Sequence, residues 1–315
     1  MANTVVVVNP KSQNGTLGRR WPDLARVLHR EMGGFEAVMT QSPGDATRLA
    51  RSALAGGADM VVAVGGDGTI HEVVNGFFDA HQRPVRPGAA LGLLPFGTGG
   101  DFRKTVKVPK ELEDAGRILA RGRRQTIDVG SLRYRDGGAR GEEKQRVFVN
   151  IASFGIGGLV DQIVNNSSKL LGGRVSFLMG TARAALRYKN QRVRMIFDGD
   201  EDQFVESTIN NVAVANGQYF GGGMHIAPEA VLDDGQFDVV TIGDLSPLDF
   251  LRDGHRVYRG AHLGMNKVSF RRAHRVDARP VDPDEDVLLD VDGEAPGALP
   301  ASFSVLPRAI DLIVP

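Results

Sequence analysis

The chain contains no cysteine. Disulfide staples, thiolate nucleophiles and Cys-ligated metal centres are therefore excluded. Aromatic residues are sparse, at 6% with one Trp and four Tyr. They form no stacking platform beside basic residues, so nucleic acid is not expected as a partner. No apolar run approaches the roughly 20 residues of a membrane-spanning helix. The opening Met1-Ala2-Asn3-Thr4 puts no basic segment ahead of an apolar one, so no secretory leader is expected. The patterns Gly-x-x-x-x-Gly-Lys-Ser/Thr, His-Glu-x-x-His and Gly-x-Ser-x-Gly are also missing. That removes the Walker phosphate loop, the zinc-protease helix and the hydrolase nucleophile elbow. The expectation is a cytoplasmic protein whose membrane contact is at most peripheral, at the inner face.

What is present suits a large soluble chain. Its 315 residues are 42% hydrophobic and 24% charged, enough for one large or two ordinary cores. The 38 basic residues balance 38 acidic ones, but unevenly along the sequence. Residues 1–127 hold 17 Lys and Arg against 12 Asp and Glu. A modestly basic first part suits an anionic nucleotide.

The texture of the chain changes near residue 127. Before it, apolar runs at 4–8, 35–39, 60–64 and 90–94 alternate with helical patterns at 17–32, 44–56, 69–80 and 111–121. Such alternation predicts βαβ units and a parallel sheet covered on both faces. Ligands bind such sheets beyond the carboxyl ends of the strands. After it come short runs rich in Val, Ile and Phe, at 127–134, 146–153, 193–198, 205–215, 236–242, 266–270 and 286–291. Their Asp, Gly and Asn separators predict a mainly antiparallel β domain. Two helical patterns, 158–187 and 247–262, interrupt it. The expected division is 1–127 for a nucleotide-binding α/β domain, with 306–315 returning to it as an added strand, and 128–305 for a β-rich acceptor domain. No repeat or low-complexity tract is visible, and nothing marks an oligomeric state.

The polar, glycine-rich turns fall where an α/β sheet binds ligands. Val61-Val62-Ala63-Val64 runs into Gly65-Gly66-Asp67-Gly68-Thr69 and then an amphipathic segment from Ile70. Glycines let a backbone approach a phosphate, and the amides of the following helix start face it. An Asp within such a loop makes sense through a cation such as Mg²⁺. Pro95-Phe96-Gly97-Thr98-Gly99-Gly100-Asp101-Phe102 repeats the chemistry at the next strand end, where Asp101 reads equally as a metal-network residue or a helix cap. Asn9-Pro10-Lys11-Ser12-Gln13-Asn14-Gly15 lies at the first strand end, ahead of Arg19 and Arg20. Asp128 reads evenly as a junction residue or a neighbour of the same cation. Asp233-Asp234-Gly235 forms a polar turn that also suits a hard cation. Asp292-Gly293-Glu294, read by itself, is a hairpin turn without catalytic signal. Two basic clusters, Arg183, Arg187, Lys189, Arg192 and Arg194, and Arg271, Arg272, His274 and Arg275, read first as solvated charge and second as contacts for anionic headgroups. Leu170, Leu171, Phe177, Leu178 and Met179 read equally as core or as an acyl-chain cleft.

Taken in order, Asn9-Pro10, Gly65 to Thr69, Pro95-x-Gly97-Thr98-x-x-Asp101-Phe102, Asp233-Asp234-Gly235 and Asp292-Gly293-Glu294 resemble the diacylglycerol kinase catalytic-domain family, over essentially the whole chain. The family includes bacterial lipid kinases and the sphingosine and ceramide kinases. The resemblance implies a 6-phosphofructokinase-like α/β domain with a parallel sheet, a β-sandwich-like second domain, and an active site in the cleft between them. It implies transfer of the γ-phosphoryl group of ATP to a lipid hydroxyl. Asn9 comes from the position of its loop at the sheet edge and Gly97 from the second glycine loop. The resemblance adds Thr40, Gly65, Gly66, Asp67, Gly68, Thr69, Ile70, His71 and Thr98 as ATP contacts, with Asn75 as a looser candidate. Asp67, Asp101 and Asp128 would organise Mg²⁺. Glu294 would be the general base, with Asp67 and Asp101 completing the catalytic set. A second, structural Mg²⁺ would sit on Asp234 with the main chain of Val231 and Gln236. Two departures stand out: Gln13-Asn14 replaces a Gly-Lys or Gly-Gly pair in the first loop, and Gly100 replaces an Asn. The rival readings are an NAD kinase-like enzyme with a soluble acceptor, which shares the glycine loop, and a non-catalytic nucleotide- or lipid-binding regulator.

Overall fold

The computed structural model describes residues 3–97, 99–136, 141–166 and 188–315. The chain divides into two compact units, Met1–Val129 with Pro307–Pro315, and Gly130–Leu306. Both boundaries fall inside strands rather than in linkers.

The first unit follows the alternation of its sequence. Its elements are β1 (Thr4–Val8), α1 (Thr16–Met32), β2 (Glu36–Met39), α2 (Asp45–Ala55), β3 (Met60–Gly65), α3 (Asp67–Gly76), β4 (Ala90–Pro95), α4 (Asp101–Thr105), α5 (Leu112–Arg121) and the start of β5 (Arg123–Asp136). The sheet order is β2-β1-β3-β4, all parallel, and Asp311 and Leu312 pair in parallel with Ala90 and Leu91 of β4. Every residue of β1, β3 and β4 is buried, because helices cover both faces of a parallel sheet and leave no polar side. α1 packs beside α5, and α2 beside α3. The edge strand β2 is the exception, with three of its four residues exposed. The strand order reverses direction between β1 and β3. That is the switch point at which open α/β sheets bind ligands.

The second unit is a two-layer β structure. It contains the end of β5, then β6 (Glu142–Phe148), β7 (Ile151–Gly155), α6 (Ile156–Asn166), β8 (Gln191–Phe197), β9 (Val205–Ile209), β10 (Asn211–Ala215), β11 (Phe237–Ile242), α7 (Pro247–Tyr258), β12 (Val268–Ala273), β13 (Arg275–Pro280), β14 (Leu289–Val291) and most of β15 (Ala298–Val314). One layer is β15-β13-β8-β9, with β5 pairing β15 and β6; the other is β12-β11-β10-β7-β14. Antiparallel pairing is recorded for β13 with β15 and β8, for β8 with β9 and for β5 with β6, and throughout the second layer. Val212 and Val214 of β10 enter the core between the layers, while Ala213 and Ala215 enter a smaller cluster on the other face with Ile226, Val240 and Val257 of α7. This is the period of two expected of a strand packed on both sides. Stacked rings join the layers: Phe148 lies 5.5 Å from Phe237, and Phe154 lies 5.9 Å from Phe303. Such pairs contribute about 0.5–1.5 kcal/mol beyond burial. A capping box of Ser246 and Asp249 starts α7, satisfying two donors that the helix leaves open.

Two apolar runs that read as single strands are each two. Residues 146–153 split into β6 and β7, and 205–215 into β9 and β10. Each break moves the chain from one layer to the other; burial is continuous from Val147 to Gly155, so hydrophobicity does not register the first, whereas β9 is largely exposed before Ile209. The helical pattern 158–187 begins with α6, and its remainder lies outside the described residues after Asn166. β13 and the full length of β15 were not expected, because charges and prolines interrupt their alternation. None of the described helices is long and apolar enough to cross a membrane.

Under α7 two histidines lie close together. His262 is fully buried, and its Nε2 lies 2.9 Å from the Ile226 carbonyl. His225 stacks on Tyr219 at 4.2 Å. Neither His262 Nδ1 nor His225 Nε2 has a hydrogen-bond partner among the described residues. Burial pushes both imidazoles below their ordinary value of 6.5; the Ile226 carbonyl partly opposes this at His262, and His225 adds to it. The native state therefore holds them neutral while an unfolded chain protonates as pH falls through 6.5. Stability from this pair is complete above that pH and is lost below it. Thermal unfolding midpoints should fall from about pH 7 to about pH 5 more steeply in the wild type than in His262→Gln. Parallel profiles would remove His262 as a source of the acid sensitivity.

Candidate active site

Three loops converge at the carboxyl edge of the first unit's sheet. Asn9, directly after β1, donates its amide to Val64 at 3.0 Å and its side chain to Thr69 Oγ1 at 3.1 Å. The loops after β1 and β3 are thereby joined at the switch point. Gln13 reaches the carbonyl of Gly97 at 3.3 Å, which brings in the loop after β4. A Cβ on Gly97 would lie 2.7 Å from the Cα of Gly66, closer than carbon atoms pack. Only glycine allows this approach.

The half-buried Asp67 fastens the same junction. Its Oδ2 accepts the amide of Gly100 at 2.8 Å, and its Oδ1 accepts the amide of Asp101 at 3.2 Å. Gly100 is left-handed, with φ 63°, a conformation that glycine adopts without steric cost. Asp101 is buried and pairs with Lys104 at 2.7 Å. Asp128 is fully buried and accepts the Arg308 amide at 2.7 Å, which ties β5 to the end of β15.

The other expected nucleotide contacts divide by exposure. Thr40 and Thr69 are buried beside the loops, and Thr40 donates its amide to Val8 at 2.9 Å. The side chains of Ile70 and His71 are buried, and the Ile70 amide donates to the Gly66 carbonyl at 3.1 Å. Asn75 donates back to the His71 carbonyl at 2.9 Å. Gly65, Gly66 and Gly68 form the turn into α3, whose first amides have no acceptor within the helix. Thr98 lies outside the described residues. Arg19 bonds Thr16, and Arg20 lies over the Phe96 ring at 5.8 Å. Both are exposed basic groups near the first loop.

No group of three His, Asp or Glu side chains among the described residues converges to hold a metal. Asp67 accepts one amide on each carboxylate oxygen, and each such oxygen can accept more than one bond. This donor set fits Mg²⁺ bound mainly by phosphate oxygens and water with one or two carboxylates, the usual mode for a nucleotide-bound ion.

Glu294 belongs to the second unit. Its turn closes through paired main-chain bonds with Val291, at 2.8 and 3.0 Å. Its side chain is 40% exposed and meets Arg146 at 3.2 Å. The Arg146 guanidinium also lies over the Tyr134 ring at 5.4 Å. Asp292 accepts the amides of Val149, Asn150 and Ile151, each at 3.0 Å. Asp290 accepts that of Gly293 at 2.9 Å. Sequence reasoning missed Arg146, Asp290 and Asp292, since their partners are remote in the chain or look like ordinary turn residues.

At the acidic turn, Asp234 accepts the Gln236 amide at 3.0 Å, and Val231 and Asp234 are exposed. Nearby Asp238 is buried, with Oδ2 lacking a hydrogen-bond partner among the described residues. Burial raises its pKa, against the lowering effect of Arg272. An orphaned carboxylate oxygen of this kind suits a cation close by. The basic clusters are largely paired: Arg192 and Arg194 with Glu206, Arg272 with Asp238 and Glu229, Arg275 with Asp277. Arg183, Arg187 and the apolar residues 170–179 lie outside the described residues.

Known proteins share this arrangement. Residues 3–132 match the diacylglycerol kinase catalytic domain, and residues 150–314 match the YegS C-terminal NAD kinase beta sandwich-like domain. A diacylglycerol kinase of Bacillus subtilis (strain 168) is 30% identical over 326 residues, covering 100% of this chain and 97% of the relative. The chain belongs to the diacylglycerol kinase family. That family consists of lipid kinases, and this member is an enzyme of the phosphotransferase class. A diacylglycerol kinase of Staphylococcus aureus (strain NCTC 8325 / PS 47) is 28% identical over 98% of this chain and 91% of its own. Among solved structures, a diacylglycerol kinase from Bacillus anthracis str. Sterne has a TM-score of 0.71 at 22% identity, covering 100% and 97% of the two chains. Yeast NADH kinase complexed with NADH has 0.52 at 14%, covering 100% and 84%. These two establish the shared fold: a 6-phosphofructokinase-like α/β unit with a β-sandwich-like unit.

Gly97→Ala tests the loop contact. The added Cβ forces the loops apart, at about 1–3 kcal/mol, and should lower the thermal unfolding midpoint. Gly34→Ala, where a Cβ meets nothing within 4 Å, should leave it unchanged. Equal melts for the two variants would refute the contact.

Proposed function

We propose that this member of the family is an ATP- and Mg²⁺-dependent lipid kinase that transfers the γ-phosphoryl group to a lipid hydroxyl. The observation that carries the reading is the junction of the three loops through Asp67, Asn9 and Gln13. Loop amides and the first turn of α3 form a ready cradle for phosphates. Asn9, Thr40, Gly65 to His71, Gly97 and Thr98 would bind the nucleotide, with Asn75 beside them. Asp67 and Asp101 would hold the nucleotide's Mg²⁺ directly or through water, and Asp128 would act from behind as part of the network. When bound, Mg²⁺ supplies neutralisation of phosphate charge.

Phosphoryl transfer depends on positioning and charge neutralisation more than on covalent chemistry. A new bond forms between the lipid oxygen and the γ-phosphorus as the bond to the departing ADP oxygen breaks. Glu294 would take the proton of the lipid hydroxyl, the part a carboxylate base plays in such transfers. Asp234, with the main chain of Val231 and Gln236, would hold the structural ion, and Asp238 would favour it electrostatically. The acceptor would be a membrane lipid, whether diacylglycerol, a sphingoid base, ceramide or phosphatidylglycerol, met by peripheral contact at the inner face.

The test is transfer of labelled γ-phosphate from ATP to these lipids in mixed micelles, with NAD as a soluble acceptor. Label should enter one lipid and fall at least about 100-fold in Glu294→Gln, with ATP binding retained. Label in NAD alone would move the protein to an NAD kinase activity, and undiminished turnover in folded Glu294→Gln would remove the base. Nucleotide binding without transfer to any acceptor would identify a regulator. Asp67→Asn should raise the Mg²⁺ concentration needed for half-maximal rate; wild-type kinetics across a Mg²⁺ titration would dismiss the metal role.

A further inference from the structure

We infer that Asp292 is a positioning residue that holds Glu294 and Arg146 against each other. The inference rests on the reading of Glu294 as the base. A turn Asp ordinarily bonds main chain two residues on. Asp292 instead reaches amides 141 to 143 residues away. It is only 9% exposed, and Val149, Asn150 and Ile151 are all buried. These three amides belong to the corner between β6 and β7, where the chain leaves one layer for the other and ladder pairing lapses. Buried amides require an acceptor, and Asp292 supplies it for the whole corner. A carboxylate suits this task, since its two oxygens accept several charge-assisted bonds at once.

The corner and the turn carry the two partners of one ion pair. Arg146 stands on β6, three residues before the first clamped amide. Glu294 stands two residues after the clamp. The Asp292 amide also donates to the Ile151 carbonyl at 2.9 Å, so the corner and the turn are bonded in both directions. Asp290 fixes the turn from its other side through Gly293. Asp292 has φ 53°, a left-handed conformation that Asp and Asn adopt more readily than other non-glycine residues. The Arg146 strand and the Glu294 turn are therefore linked by hydrogen bonds through Asp292, Asp290 and Val291. A guanidinium held beside the carboxylate fixes its rotamer, and a base misplaced by about 1 Å loses on the order of 100-fold in rate.

Asp292→Asn keeps the backbone conformation and replaces one acceptor oxygen with a donor that faces an amide. Turnover should fall about 10–100-fold with KM for ATP unchanged. In a Glu294→Gln background the same substitution should cost nothing further, because a residue acting through Glu294 has nothing left to act on. NMR exchange of the Arg146 guanidinium protons provides a readout that does not need turnover. These protons should be protected in the wild type and exposed in both Asp292→Asn and Glu294→Gln. Asp290→Asn, which loosens the same turn less, should show the same pattern with a smaller loss and serves if Asp292→Asn does not fold. Wild-type turnover in folded Asp292→Asn, equal losses in both backgrounds, or unchanged Arg146 protection would overturn the proposal. Full turnover in Glu294→Gln alone would instead sink the base assignment, and Arg146 exchange would still decide whether Asp292 holds the pair.

Discussion

Two amides, of Gly100 and Asp101, end on the carboxylate of Asp67, and the carboxyl edge of the first unit's sheet depends on that junction. The loops after β3 and β4 each leave the sheet with several glycines and little side-chain packing. Their entropy favours divergence. Hydrogen bonds to a charged acceptor, at about 1.5–3 kcal/mol each, offset that entropy and bring Gly97 against Gly66. With those loops fixed, Asn9 and Gln13 can each reach across from the loop after β1. The polar residues of three separate loops thus become one surface.

The same device recurs elsewhere in the chain. Asp292 holds a strand corner, and Asp128 holds the Arg308 amide. Asp45 accepts the amides of Gln41 and Ser42 ahead of α2, which lowers its pKa below the usual carboxylate range. An acidic residue in a glycine-rich motif is therefore ambiguous in this chain between chemistry and architecture. Asp128 and Asp292 are buried acceptors of main chain, whereas Glu294 is 40% exposed beside a guanidinium.

The sequence made the parallel sheet legible because strands covered on both faces must be apolar throughout, and β1, β3 and β4 are. The glycine loops were legible from composition alone, since so many glycines around Asp and Thr exceed what a turn needs. Glu294 was not: two residues of a hairpin turn precede it, and only the order of motifs along the whole chain gave it a role. Arg146 and Asp292 stayed hidden for a physical reason, since their partners lie more than 140 residues away and no local pattern encodes them. The layer change at Val149 was hidden because burial persists through it.

The way the chain passes between units bears on how the protein is made. Residues 130–306 fold as one unit between two parts of the other. Until synthesis reaches Leu312, β4 lacks the strand that pairs along its outer edge, and Asp128 lacks the Arg308 amide. A ribosome-bound chain thus carries a parallel sheet with an open apolar edge while the β-rich unit is being made. Such edges recruit other strands, and N-terminal parts otherwise tend to fold first during synthesis. The sheet of the first unit is therefore complete only when β15 pairs with β4, after the whole β-rich unit has intervened in the sequence.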